Sequence, residues 1–252
     1  MLFNTHTHST FSFDGSNSII ELCEQALKMG VSYFALTDHI ELDGSEFCIL
    51  DFDGYVSQIE RCNSMFNKKG LYIALGAEFG WANDCDTNLI SKCNFEYIIN
   101  SVHSFEYSDI SDKKSYYNSY LNAVLESLNA KYNYDAVGHL GFVTRYTDFE
   151  DNRIDLDTFG DKIDAILSSV IQKNKILEVN TSTNRSNIVT IPSIEILKLY
   201  RKKGGYLITF ASDAHRKEKL IFNFERAREV VKEAGFEHWY IKKNGNLERI
   251  KI

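Results

Sequence analysis

Short apolar runs alternate along the chain with longer amphipathic segments. The runs of β-strand type cover residues 2–4, 33–36, 71–75, 96–100, 135–137, 176–179 and 206–210. The segments at 18–29, 55–67, 115–131, 156–173, 193–203 and 224–234 carry apolar residues at helical spacing. Strands that alternate with helices in this way predict an α/β fold with a parallel sheet.

The alternation continues without a linker or a repeat, which favours one closed (β/α)7 barrel of TIM-like type over an open doubly wound sheet. We therefore expect residues 1–252 to form a single domain. No glycine-rich dinucleotide or P-loop motif follows a predicted strand, so neither kind of nucleotide site is supported.

The composition limits the partners and the cellular location that we expect for this protein. The chain has 252 residues and a formal charge of -7, which argues against nucleic acid as the main partner. The five cysteines form no CxxC pair, as is typical of reduced thiols in a cytoplasmic protein. No secretory signal and no apolar run of membrane-spanning length is present, so we expect no membrane partner. The sequence does not indicate an oligomeric state.

Histidines and carboxylates follow the predicted strands. Six of the seven histidines stand at a strand's carboxyl end, where the active sites of α/β barrels are built. The motifs are His6-Thr7-His8, Thr37-Asp38-His39, Gly76-Ala77-Glu78, Ser101-Val102-His103, Gly138-His139 and Ser212-Asp213-Ala214-His215. His238 is the exception, and we interpret it as a background residue.

The spacing within these motifs suits metal binding. Residues two apart in an extended segment point to one side, so His6 and His8 can bind one ion, as can Asp213 and His215. Imidazole and carboxylate ligands without thiolates favour Zn, Mn or Fe. The motifs offer eight ligands and Asp14 a ninth, too many for one tetrahedral ion, so we expect two or three divalent metals.

Each residue alone also has a plainer interpretation. A single histidine beside an apolar run is usually a core or surface residue, and Asp14 suits a turn. Asp38 is expected to orient His39 rather than to bind metal. The histidines are interpreted together because six independent surface histidines would not all fall at strand ends.

The ordered motifs resemble the metal-binding motifs of the PHP family, named for its polymerase-associated and histidinol-phosphatase members. The match extends from residue 2 to residue 216. It implies a distorted seven-stranded barrel with a trinuclear metal site. By this resemblance, the first metal is held by His6, His8, Glu78 and Asp213. Glu78 bridges to a second metal, which His103 and His139 complete, and the third is held by Asp14, His39 and His215.

Two arginines match the family's phosphate-binding positions. Arg145 follows the Gly138-His139 motif, and Arg185 follows the sixth strand. Arg153 is the alternative to Arg185 for the second phosphate contact. An arginine suits a phosphate dianion because it donates two parallel hydrogen bonds. Tyr116, Tyr117 and Glu106 are candidates for contacting the rest of the substrate, although each also suits a surface position.

The resemblance implies hydrolysis of a phosphate monoester by a metal-bridging hydroxide that attacks phosphorus. Asp213 or His215 is expected to pass a proton to the leaving group. The length without a fused domain resembles that of the family members that release phosphate from L-histidinol phosphate during histidine biosynthesis. The alternatives are a related phosphoesterase acting on nucleotides or other small phosphate esters, and a metal-binding protein without activity.

Overall fold

The computed structural model describes residues 1–42, 51–83, 94–183 and 188–252. The strands within these ranges are β1 (Leu2–Asn4), β2 (Val31–Leu36), β3 (His39–Glu41), β4 (Tyr72–Gly80), β5 (Tyr97–Ser101), β6 (Ala136–Val137), β7 (Ile176–Asn180), β8 (Ile208–Ala211), β9 (His238–Lys243) and β10 (Asn246–Lys251). The α-helices are α1 (Ile19–Lys28), α2 (Phe52–Phe66), α3 (Lys113–Ser127), α4 (Leu156–Gln172), α5 (Ile194–Lys202) and α6 (Phe224–Glu233).

Seven parallel strands form a nearly closed barrel in the order β1-β2-β4-β5-β6-β7-β8. The first and last strands meet through backbone hydrogen bonds, with Thr5 N donating to Phe210 O at 3.1 Å and His8 N donating to Ala214 O at 2.9 Å. The helices flank this barrel, so the predicted (β/α)7 architecture is confirmed.

Local sequence signals explain where the helices begin and end. Ser18 caps α1, and the Glu21 carboxylate accepts a hydrogen bond from the Ser18 backbone N–H, which completes a capping box. Gly30 and Gly235 follow α1 and α6 with φ of 74° and 89°, the left-handed conformation that glycine adopts without strain. Pro192 immediately precedes Ser193, which stands at the N-cap position of α5.

Two features differ from the prediction. Strand β4 continues to Gly80, so Glu78 lies inside the strand rather than in the loop after it, and β3 pairs with this extension in the register His39–Glu78. The β9–β10 hairpin was not predicted. Its turn is formed by Asn244 and Gly245 with φ of 51° and 75°, an Asn-Gly hairpin signal that the helix-and-strand pattern overlooks.

Aromatic residues fill part of the core beneath the barrel. Phe3 packs edge-to-face with Phe210, Phe224 and Trp239, joining β1, β8, α6 and β9. Among the described residues, no helix has the length and apolar character needed to cross a membrane.

Candidate metal centre

The nine predicted metal ligands meet at the carboxyl ends of the barrel strands. They come from six separate stretches of chain that the parallel strands bring to one end of the barrel. Ion-pair or ring contacts link His6, His8, Asp14, His39, Glu78, His103, His139, Asp213 and His215 to one another. A cavity of about 330 Å³ opens above them. The structure thus brings these nine side chains together at one end of the barrel, and their role as metal ligands stays a prediction.

The first group surrounds one oxygen of Glu78. Its Oε2 lies 3.0 Å from His6 Nε2 and 3.5 Å from His8 Nε2. Asp213 Oδ1 lies 3.6 Å from His6 Nε2 and 3.2 Å from His8 Nε2. Ligands bound to one zinc ion in a tetrahedron are about 3.3 Å apart, and these four separations, from 3.0 to 3.6 Å, are close to that value.

Two imidazole nitrogens of this group have no hydrogen-bond partner. His6 Nε2 and His8 Nε2 are buried and make no hydrogen bond, although carboxylate oxygens lie within 3.0 to 3.6 Å. Buried polar atoms without partners are rare in folded proteins because each costs free energy. Imidazole nitrogens and carboxylate oxygens that converge in this way fit a shared cation, so these residues suit a divalent metal.

The second group surrounds the other oxygen of Glu78. Oε1 lies 2.8 Å from His139 Nε2 and 3.1 Å from His103 Nε2, and the two imidazole nitrogens are 3.4 Å apart. Ser101 Oγ also donates a hydrogen bond to Oε1 at 2.7 Å. The two oxygens of Glu78 thus face two different ligand groups, which is the arrangement of a bridging carboxylate.

The third group is closer to solvent. Asp14 Oδ2 lies 2.8 Å from His215 Nε2 and 3.5 Å from His39 Nε2. The His8 ring contacts both the His215 and the His39 ring, with centroids 4.2 and 4.5 Å away. Asp14 is therefore placed among histidines rather than serving only as a turn residue.

Charge interactions set the protonation of the inner ligands. Burial alone would raise the pKa of Glu78, but His6, His103 and His39 hold it well below the usual value. Burial likewise opposes ionisation of Asp213, yet His6 and Arg145 hold its pKa well below normal. Burial, together with His39, lowers the pKa of His8 to about 3. Burial also lowers the pKa of His6, but Glu78 and Glu178 raise it well above the usual value. Because ionised carboxylates and neutral imidazole are the forms that bind metal, His8 is ready to bind, whereas a metal bound by His6 would take the place of a proton.

Arg145 forms part of the cavity wall. It ends a short 3-10 helix, Phe142–Arg145, after β6. Its guanidinium donates to Asp213 Oδ2 at 2.9 Å and to Asn180 Oδ1 at 2.8 Å, and it lies over the Phe142 ring. Asp213 itself has φ of 51°, a left-handed conformation that costs a non-glycine residue about 1 kcal/mol.

Other sequence candidates lie elsewhere. Arg185 falls outside the described residues. Arg153 is exposed and paired with Asp151, away from the cavity. Tyr116 and Tyr117 were expected at the surface but are buried in α3, where Tyr117 donates a hydrogen bond to the Asn152 carbonyl.

Glu106 is exposed and does not line the cavity above the metal ligands. Asp38 was expected to orient His39. Its carboxylate instead accepts four hydrogen bonds from the backbone and hydroxyl groups of Ser9 and Ser12, which hold the loop after β1.

Two buried carboxylates were not recognised from the sequence. Glu41 Oε1 lies 2.8 Å from His103 Nδ1 and 3.2 Å from His39 Nδ1. Glu178 Oε2 lies 2.8 Å from His6 Nδ1. Signals for both were available, because Glu41 stands two residues after His39 in an extended segment and Glu178 interrupts an apolar strand.

The fold and the site together define an α/β barrel whose strand ends carry a histidine–carboxylate cluster able to bind divalent metals. The model of the PHP domain family matches residues 4–182, and the chain belongs to this family. Among its relatives, "Probable histidinol-phosphatase" of Clostridium acetobutylicum is 26% identical over 96% of this chain and 98% of its own length. The "Histidinol-phosphatase" of Lactococcus lactis is 27% identical over 92% of this chain and 90% of its own length.

Solved structures share the fold. The crystal structure of histidinol phosphate phosphatase from Lactococcus lactis, complexed with Zn, L-histidinol and phosphate, superimposes with a TM-score of 0.86 at 24% identity and covers 98% of both chains. The putative histidinol phosphatase of Listeria monocytogenes has a TM-score of 0.76 at 15% identity, covering 89% of this chain and 99% of its own.

Proposed function

We propose that this protein is a metal-dependent phosphatase that hydrolyses L-histidinol phosphate to L-histidinol and phosphate. The observation that carries the proposal is the bridging arrangement of Glu78, with one ligand group at each oxygen, beneath a cavity that also contains Arg145. Membership of the PHP domain family and relatives named histidinol-phosphatase over nearly the whole chain support this activity.

The proposed metal ligands form three groups. The first is His6, His8, Glu78 and Asp213, the second is Glu78, His103 and His139, and the third is Asp14, His39 and His215. Two or three ions of Zn, Mn or Fe are proposed, and the zinc in the Lactococcus lactis structure favours zinc among them. Bound metals of this kind supply a nucleophile from water near neutral pH and positive charge for the phosphate oxygens.

Arg145 is proposed to bind the substrate phosphate. Its guanidinium lies in the cavity wall, and its Nε is buried without a hydrogen-bond partner. A fixed positive charge there stabilises the charge that spreads over the phosphoryl oxygens during transfer. Arg185 stays a prediction for a second phosphate contact.

Asp213 and His215 stay the predicted candidates for passing a proton to the leaving alkoxide, and His215 could do so only while its ring is not bound to the third metal. The His215 ring lines the cavity and is about one-third exposed. Asp213, the other candidate, accepts a hydrogen bond from Arg145 and has a pKa well below normal, which makes it a poor acid.

We further propose that residues 1–252 form one domain, since β8 at Ile208–Ala211 completes the barrel beyond the end of the family match. The cytoplasmic location expected from the cysteines stays a prediction.

The activity is tested by measuring phosphate release from L-histidinol phosphate, AMP and p-nitrophenyl phosphate by the zinc- or manganese-loaded protein. A kcat/KM for L-histidinol phosphate well above the other two supports the proposal. Equal rates would indicate a general phosphoesterase, and no release from a fully metal-loaded protein would indicate a binding protein.

A further inference from the structure

Glu178 is a fully buried carboxylate inside the barrel. It lies in β7 between apolar residues, and none of its surface reaches solvent. Oε2 is 2.8 Å from His6 Nδ1. Oε1 accepts hydrogen bonds from the His139 backbone N–H at 3.0 Å and from Asn180 Nδ2 at 2.7 Å. Both oxygens are therefore occupied, one by an imidazole and the other by two amide donors.

We propose that Glu178 is a positioning residue that fixes the His6 imidazole as the Nδ1–H tautomer. An ionised carboxylate only accepts hydrogen bonds, so the ring nitrogen that faces it carries the proton. The other nitrogen, Nε2, then presents its lone pair toward Glu78 and Asp213. This inference rests on the proposed metal centre, because it assigns the orientation of one of its ligands.

The same carboxylate acts on Arg145 through Asn180. Because Asn180 Nδ2 donates to Glu178, the amide oxygen points the other way and accepts from Arg145 at 2.8 Å. Asn180 Oδ1 also accepts from the Ser182 backbone N–H at 2.8 Å. One buried carboxylate thus orients both a proposed metal ligand and the proposed phosphate-binding arginine.

A glutamine of the same shape cannot replace it. If its amide oxygen faced His6, its NH2 group would face the two donors of His139 and Asn180. If its NH2 group faced His6 Nδ1, the proton of the neutral ring would move to Nε2 and remove the lone pair that binds metal. An aspartate is shorter but keeps two accepting oxygens.

Zinc affinity distinguishes this role from simple packing. We would measure it by chelator competition for the wild type, Glu178→Gln and Glu178→Asp, with thermal unfolding of each variant. We expect Glu178→Gln to bind zinc at its tightest site about 10- to 100-fold more weakly than the wild type. The affinity of Glu178→Asp should lie between those of the wild type and Glu178→Gln. A packing role predicts the reverse order, because glutamine fills the space better, and that order would overturn the proposal.

Glu96→Gln is the matched control. Glu96 accepts a hydrogen bond from Tyr72 just before β5, at the opposite end of the barrel, and its replacement should leave zinc affinity unchanged. A fall equal to that of Glu178→Gln would also overturn the proposal.

A second measurement needs no variant. Long-range 1H–15N spectra of the zinc-loaded wild type should show His6 protonated at Nδ1, and a proton at Nε2 would overturn the inference. Failure of the proposed function can be told apart from failure of this inference. A wild type that binds no zinc, manganese or iron would contradict both the metal-dependent activity and the role of Glu178. A wild type that binds zinc no better than Glu178→Gln would contradict only the role of Glu178.

Discussion

Arg145 donates a hydrogen bond to Asp213 Oδ2 at 2.9 Å, while Asp213 Oδ1 lies 3.2 Å from His8 Nε2. The two oxygens of one carboxylate thus face a fixed cation and a proposed metal-ligand group. These residues follow different strands, β6 and β8, so the barrel itself sets their spacing. Asp213 therefore links Arg145 to the proposed first metal group.

Replacing Arg145 with lysine tests this arrangement. A single ammonium lacks the planar set of donors that contacts Asp213 and Asn180 together. We expect kcat/KM for L-histidinol phosphate to fall about 10- to 100-fold with unchanged metal content, as steady-state kinetics and elemental analysis would show. Arg153→Lys, in an exposed ion pair, is the control and should stay within about twofold. Unchanged kinetics for Arg145→Lys would argue against a phosphate contact.

Glu41 provides a second test. Although burial raises the pKa of Glu41, contacts with His103 and His39 bring it to about 2, so it is ionised and accepts the Nδ1 proton of His103. We expect Glu41→Gln to weaken the binding of one metal about tenfold in a chelator titration. Glu24→Gln on the exposed face of α1 should have no effect. Equal metal affinity in both variants would show that Glu41 does not support metal binding through His103.

Gly80 leaves the space that the Glu41 carboxylate occupies. A Cβ at position 80 would overlap that carboxylate, although the Gly80 backbone is not in the left-handed region. We therefore expect Gly80→Ala to lower metal affinity as Glu41→Gln does, but to change nothing further when added to Glu41→Ala. An additive loss in this double-mutant cycle would contradict the explanation.

Gly160→Ala is the matched control for a glycine replacement. Gly160 lies within α4, and an added Cβ there would meet no atom within 4 Å. It should stabilise the protein by about 0.5 to 1 kcal/mol without changing metal affinity. Urea unfolding and the same chelator titration would check both expectations.

The sequence predicted the barrel because strand and helix periodicity set the order of the elements. The histidines at strand ends, proposed here as metal ligands, follow from that order, and the structure brings them together. Glu78 was expected after its strand but lies inside β4, because the apolar pattern is broken at Gly76 while the strand continues to Gly80.

Contacts between distant residues were not predictable in the same way. Glu178 lies 172 positions from His6, and the Arg145–Asp213 contact spans 68 positions. No local periodicity encodes which buried carboxylate meets which ring nitrogen. Strand β10 was overlooked because it is exposed and has no buried face to give an alternating pattern. The local signal for the hairpin is its Asn244-Gly245 turn.

The capping box of α1 gives a prediction about stability. Ser18 accepts a hydrogen bond from the Glu21 backbone N–H, and α1 follows the loop that contains Asp14. We expect Ser18→Ala to reduce the free energy of unfolding by about 1 kcal/mol in urea. Ser57→Ala, at an exposed position inside α2, should change it by only about 0.3 kcal/mol. A loss at Ser57 as large as that at Ser18 would show that the cap contributes nothing specific.

The measurement that tests the central claim most directly is the rate of phosphate release from L-histidinol phosphate before chelation, after chelation and after metal is restored. We predict rapid release before chelation, loss of nearly all activity with the chelator, and recovery when zinc or manganese is added. Release that persists in protein shown by elemental analysis to be free of metal would contradict it.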